Sequence, residues 1–188
     1  MATTEIRITG LGGQGVILSG YIIGKAASIF NNQHATLTQS FGPEARGSAC
    51  SAQVIVSDDR VLYPYVTAPQ IMVTMSNEGY LKYKETVAKD AIILYDSDLV
   101  KIDEKATKTR NYGIPATRFA EELGRRIVLN IVMLGFFGAI TQLMPREAFH
   151  QAVKNSVPPG TEELNLKAFD KGYEYGLQLN KESKTVKA

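Results

Sequence analysis

The chain has 188 residues, a formal net charge of +2, 44% hydrophobic and 21% charged residues, and one cysteine. That length suits one domain with a substantial core, and so small a charge gives no footing for nucleic acid or an anionic membrane surface. A lone Cys50 excludes an internal disulfide and any all-cysteine zinc or iron–sulfur site, and His34 and His150 are too scattered for a metal motif.

Ile6–Thr9 has the character of a short strand, and Gly10-Leu11-Gly12-Gly13-Gln14-Gly15 follows it at once. Val16–Phe30 is apolar almost all round, with Gly20, Gly24, Ala26 and Ala27 making part of that surface small enough to lie close on a sheet. Asn31-Asn32 ends this helix. His34–Gln39 is expected as the second strand, reached by a right-handed parallel crossover. Ser48–Ser57 is a further extended run that puts Cys50, Ala52, Val54 and Val56 on one face, so Cys50 is read as a small buried hydrophobe, not a nucleophile. Ser57–Arg60 forms a turn from which Val61–Tyr63 is expected to return as a hairpin.

Beyond Pro64 and Pro69, Ile71–Met75 and Ala91–Tyr95 have the composition of interior strands. Between them, Asn77 is the expected N-cap of a helix through Lys84. Residues 101–114 are polar and leave room for a short edge strand. Pro115–Gly124 and Leu129–Leu143 are expected as helices, and Pro145 suits the first turn of another that carries Ala148, Phe149 and Val153. A last helix spaces Leu166, Phe169, Tyr173 and Leu177 by three and four.

The pattern predicts an α/β fold: a three-layer, Rossmann-like domain over residues 1–180, with a mostly parallel, partly mixed sheet and a disordered tail at 181–188. The N-terminus shows no apolar leader, and the apolar stretch Ile127–Ile140 is interrupted by Asn130 and short of the ~20 residues that cross a bilayer. A buried core helix and a cytoplasmic location are the expectation.

Gly10, Gly12 and Gly15 match the spacing of a nucleotide-binding turn, where glycines admit positive φ and bring helix N-terminal amides close to an anion. A dinucleotide site also wants an acid about twenty residues on. Thr36–Ser40 offers none, so NAD is disfavoured. Glycines that only let the helix pack on the sheet are the plainer alternative; Gln14, with donor and acceptor at the tip of the turn, argues against it. Arg46, in the loop Pro43-Glu44-Ala45-Arg46-Gly47-Ser48, could grip a phosphate or carboxylate with both ends of its guanidinium, or pair with Glu44 or a partner subunit. Asn130 could cap its own helix, the favoured reading, or point into the same cleft.

Gly10–Gly15 with Val16, followed by Gln39–Gly47, resembles the gamma subunit or gamma domain of 2-oxoacid:ferredoxin oxidoreductases. Val56-Ser57-Asp58, Tyr63-Pro64 and Asn130–Gly135 add to the likeness, which covers most of residues 5–140. Ser48 stands where the family commonly has a second glycine. The form Gly42-Pro43-Glu44-Ala45-Arg46-Gly47 is most like the 2-oxoglutarate branch, the 2-oxoisovalerate branch being next. The resemblance implies a subunit, inactive alone, of an enzyme that oxidatively decarboxylates a 2-oxoacid to acyl-CoA and reduces ferredoxin. It further implies thiamine diphosphate, magnesium and iron–sulfur clusters in partner subunits, with none held by this chain alone. Coenzyme A would be shared at a cleft lined by Gly10, Gly12, Gly13, Gln14, Gly15, Arg46, Gly47 and Ser48, without catalytic or metal residues here. An independent nucleotide- or anion-binding α/β protein and a purely structural subunit remain the alternatives.

Overall fold

The computed structural model describes residues 3–41, 49–103 and 109–185, with side chains described as far as Glu182. Six strands form one sheet: β1 (Thr3–Leu11), β2 (His34–Ser40), β3 (Ala49–Ser57), β4 (Ile71–Thr74), β5 (Ile92–Asp96) and β6 (Arg110–Ile114). Their spatial order is β2-β3-β1-β4-β5-β6. The pairings β1–β4, β4–β5 and β5–β6 are parallel, whereas β3 runs antiparallel to both of its neighbours. The expected crossover from β1 to β2 therefore passes over an intervening strand, because β3 returns between them as the second arm of a hairpin.

Alternation along the strands sorts side chains to two faces. Ile6, Ile8, Cys50, Ala52, Val54, Val56, Ile71, Val73 and Leu94 point into the main core. That core is covered by α1 (Val16–Phe30), α3 (Ala116–Glu122), α4 (Leu129–Thr141), α5 (Arg146–Lys154) and α6 (Glu162–Thr185). Met72 and Ile93 point the other way, to a smaller core with Tyr80 of α2 (Asn77–Tyr83) and Val100. Two helical layers thus enclose the sheet. α4 is buried along nearly its whole length, between sheet and α6, which explains an apolar run with no polar face.

Several local expectations are corrected. Val61–Tyr63 forms no strand. Both edges of β3 are taken, by β1 and β2, so it has none to which that segment could return. In the Pro-bracketed link that follows, Thr67 N and Ala68 N each donate to the Glu5 carboxylate at 2.9 Å and Val66 N donates to Gln53 Oε1 at 3.2 Å. The cap of α2 is Ser76, whose Oγ accepts from Gly79 N at 3.1 Å, one residue before Asn77. α6 continues as helix to Thr185, so the expected tail begins as helix, and residues 186–188 lie outside the described ones. Among the described residues no helix is long and apolar enough to cross a membrane.

Candidate functional site

The glycine turn stands at the C-terminal ends of the parallel strands. β1 runs on through Gly10, which pairs with Cys50, so the turn itself is Gly12–Gly15, with φ of 97° at Gly13 and 72° at Gly15. Gln14 closes it. Its Oε1 accepts from Leu11 N at 2.6 Å and its Nε2 donates to Met75 O, just past β4, at 2.9 Å. The amide that could have served a ligand is spent on the chain, lashing β1 to β4 and fixing the glycines between them. The first amides of α1 follow directly, without acceptors of their own within the helix, where an anion is favoured.

Asn130 meets this turn from α4. It is 3% exposed, and its Nδ2 donates to Gly15 O at 3.4 Å instead of capping its own helix. A Cβ on Gly15 would lie 2.5 Å from that nitrogen, so contact and positive φ both demand glycine there. The favoured capping role is thus replaced by the alternative, a side chain turned to the glycine turn.

Between the turn and the helices opens a cleft of about 310 Å³. Leu18, Val128, Val157 and Leu164 give it apolar walls, Gly13 and Gly15 its floor, and Asn130 and Asn165 place amides in those walls. Arg125 stands exposed at its margin beside Ile127, which is 72% exposed. Gly124, at φ 83°, ends α3, and Arg125 N donates to Ala120 O at 3.1 Å, which turns the chain so that Arg125 borders the cleft. Asn165, in the first turn of α6, is 7% exposed and donates from Nδ2 to Thr161 O at 2.9 Å and to Thr161 Oγ1 at 3.1 Å.

Of the sequence-predicted residues, Gly13 and Gly15 line this cleft; Gly12 and Gln14 belong to the same turn but not to the lining, Gln14 being turned to Leu11 and Met75, and Gly10 lies just behind in β1. Arg46, Gly47 and Ser48 lie outside the described residues, but the flanks of their loop are placed. Ser40 pairs with Ser51 and Ala49 with Leu11, so the loop leaves and rejoins the sheet at the end that bears the glycine turn. The end of β2, where a dinucleotide fold keeps its acid, is separated from β1 by β3. Cys50 packs in the core, and burial pushes its thiol up. Among the described residues no cluster of three or more His, Cys, Asp or Glu could hold a metal. Sequence reasoning missed Arg125 and Asn165. The first was signalled by Gly124-Arg125-Arg126 ahead of an apolar helix; the second had no signal beyond an ordinary polar helix position.

Residues 5–175 match the family model described as pyruvate ferredoxin/flavodoxin oxidoreductase. The chain belongs to that family. It is 46% identical over 177 residues to the 2-oxoglutarate synthase subunit KorC of Methanocaldococcus jannaschii, covering 93% of this chain and 95% of the relative. Among solved structures it is similar to the gamma subunit of a keto/oxoacid ferredoxin oxidoreductase from Geobacter sulfurreducens, with a TM-score of 0.85, 37% identity, and 95% and 98% of the two chains covered. A 2-oxoglutarate:ferredoxin oxidoreductase from Magnetococcus marinus, solved with 2-oxoglutarate, coenzyme A and succinyl-CoA bound, shares the fold at a TM-score of 0.84 and 23% identity, over 94% of this chain and 31% of that one. The expectation of a gamma-type oxidoreductase subunit is borne out.

Proposed function

We propose that the chain is the gamma subunit of a thiamine-dependent 2-oxoacid:ferredoxin oxidoreductase acting on 2-oxoglutarate, and that it contributes one wall of the site where coenzyme A reaches the reacting intermediate. The observation that carries this reading is the near end-to-end match, at 46% identity, to a 2-oxoglutarate synthase subunit. Its partners are the other subunits of the complex and, through them, ferredoxin. Thiamine diphosphate, magnesium and iron–sulfur clusters belong to those subunits and supply the decarboxylation and electron transfer.

This chain's share is binding and positioning. The cleft fits part of a coenzyme A molecule in kind: α1 amides and Arg125 suit its anionic portion, and apolar walls suit an aliphatic one. The loop bearing Arg46, Gly47 and Ser48 is assigned to the same site on chemistry and on the placement of its flanks. An arginine there would hold a phosphate or a reacting carboxylate and help close the site to water.

Arg46→Ala tests the reading in the assembled enzyme. Loss of a charge-assisted hydrogen bond worth roughly 1.5–3 kcal/mol should raise the KM for coenzyme A or for the 2-oxoacid ten- to a hundredfold. Arg46→Lys should rescue only part of that, since an ammonium lacks the planar fork. Unchanged constants and turnover in an intact complex would remove Arg46 from the site. Failure to assemble would instead make it an interface anchor and favour a structural subunit.

A further inference from the structure

β2 closes one side of the sheet and is paired by β3 on its inner edge. Among the described residues no group outside β3 bonds its backbone, so the outer row of amides and carbonyls over His34–Ser40 stands open. A groove of about 360 Å³ runs beside it, between α1 and the strand, bordered by Tyr21, Ile29 and Leu37. Tyr21 is 49% and Ile29 66% exposed.

Thr36 and Thr38 add a second sign. Ala35 and Leu37 pack on the main core, so alternation turns the two threonines to the opposite face. There both Oγ1 atoms are sealed from solvent and lack a hydrogen-bond partner. A buried hydroxyl left unbonded is costly, and a turn of χ1 to another staggered position takes it off the sealed side. The edge thus has unmet bonding capacity in its backbone and in its hydroxyls.

The strand's own sequence answers both. Its seven residues are centred on Leu37. An antiparallel copy related by a two-fold axis at Leu37 pairs all of them, His34 with Ser40, Ala35 with Gln39 and Thr36 with Thr38. An axis at any other residue leaves part of the edge bare. Each threonine then faces a threonine of the copy, at the Cβ separation of ~4.5–5.5 Å where hydroxyls bond across strands. Position 20 of α1 lies level with Leu37, since a Cβ on Gly20 would stand 3.0 Å from Leu37 Cδ1. The neighbouring Tyr21 therefore overhangs the same axis, and its ring and that of the copy would roof the central leucines. The strand holds no lysine, arginine or acid, so no such charge meets its like across the axis.

We infer that two copies of this chain pair through β2, antiparallel about Leu37, and join their sheets into one. A ladder of seven residues, about 24 Å long, with one tyrosine from each copy falls at the lower end of the ~1,200–2,000 Å² of stable interfaces. The dimer is accordingly reversible, with a Kd of micromolar order.

Sedimentation equilibrium of the full-length chain should show monomer passing to twice that mass, and no further, between about 1 and 100 μM. Hydrogen exchange of the outward β2 amides should slow over the same range. Gln39→Lys, which sets an added cation against each facing strand, should raise the Kd about tenfold. Cysteine pairs read the register. His34 and Ser40 are exposed, so His34→Cys with Ser40→Cys spares the core. On oxidation that double variant should give a covalent dimer, whereas neither single variant should, because like positions lie roughly 20 Å apart along the strands. Cys50 is buried and stays out of the reaction. A monomer at every concentration, growth beyond two chains, or a dimer whose β2 amides still exchange freely overturns the proposal, and none of these needs a variant. Equal cross-linking through a single variant overturns the Leu37 axis. If the isolated chain stays monomeric while its β2 amides are protected in the assembled enzyme, a segment of another subunit covers the edge and the proposal falls.

Discussion

Gly15 carries two constraints at one Cα, a left-handed backbone and the amide of Asn130 at the place where a Cβ would stand. Gly15→Ala should therefore cost about 1–3 kcal/mol of stability, read as a lower Tm. The same change should loosen the turn amides in hydrogen exchange. Asp96 offers a second test. It is fully buried, and burial raises its carboxyl above the ordinary 3.8, against the pull of hydrogen bonds from Thr117 and the Asp98 amide. A carboxyl raised in the folded state stabilises below the unfolded value and loses that contribution as pH climbs through the folded one. Stability should accordingly decline as pH rises from about 3.8 into the range just above it, and Asp96→Asn should flatten that decline in denaturant titrations across pH. Cys50, buried with its thiol pushed up, should resist alkylation at pH 8 in the folded chain and react at an ordinary rate in denaturant. At this scale the sequence exposed the glycine turn, because spacing in a continuous segment is visible. The cleft's other wall was hidden, since Asn130 and Asn165 acquire meaning only when α4 and α6 are packed beside the turn, more than a hundred residues along the chain.

Elements were legible where their cause is local. β4, β5 and α4 follow from apolar runs and alternation and formed close to the expected bounds, whereas β1, expected over Ile6–Thr9, extends over Thr3–Leu11 because β3 pairs with its whole length. Val61–Tyr63 was misread as a hairpin arm because β3 is already paired on both sides, by β1 and β2, which leaves it no free edge, and that pairing is not written in local sequence. The placement of β3 between β1 and β2 was equally invisible, since strand order depends on pairing and not on composition. α4 and α6 make the tightest contact among the elements. Gly135 faces the Phe169 carbonyl and Gly172 the Val132 carbonyl, each so close that a Cβ would overlap the opposing backbone. Gly172→Ala should force the helices apart and cost at least about 1–3 kcal/mol, visible as a fall in Tm with the α4 amides exchanging sooner. A comparable change at Gly160, where a Cβ would stand in open space, should be milder and set only by its φ of 84°.

For the whole molecule, the division of labour proposed above predicts that the purified chain neither reduces viologen dye with 2-oxoglutarate nor shows a visible chromophore; activity in the isolated chain would sink that proposal. NAD and NADP should bind negligibly in calorimetry, because β3 occupies the place beside β1 where the ribose-binding strand would stand and the end of β2 bears no acid. The sheet ends at β2, whose sequence His34-Ala35-Thr36-Leu37-Thr38-Gln39-Ser40 contains neither lysine nor proline, and the exposed Tyr21 and Ile29 of α1 border a groove beside it. An edge without such guards is open to pairing with other chains. Light scattering of the isolated chain should show association that grows with concentration and recedes on replacing the exposed Gln39 by lysine. The consequence reaches into the economy of the cell. If that association is seen, a chain made in excess of its companions would carry an uncovered adhesive border, so matched rates of synthesis would guard it as surely as any residue in its sequence.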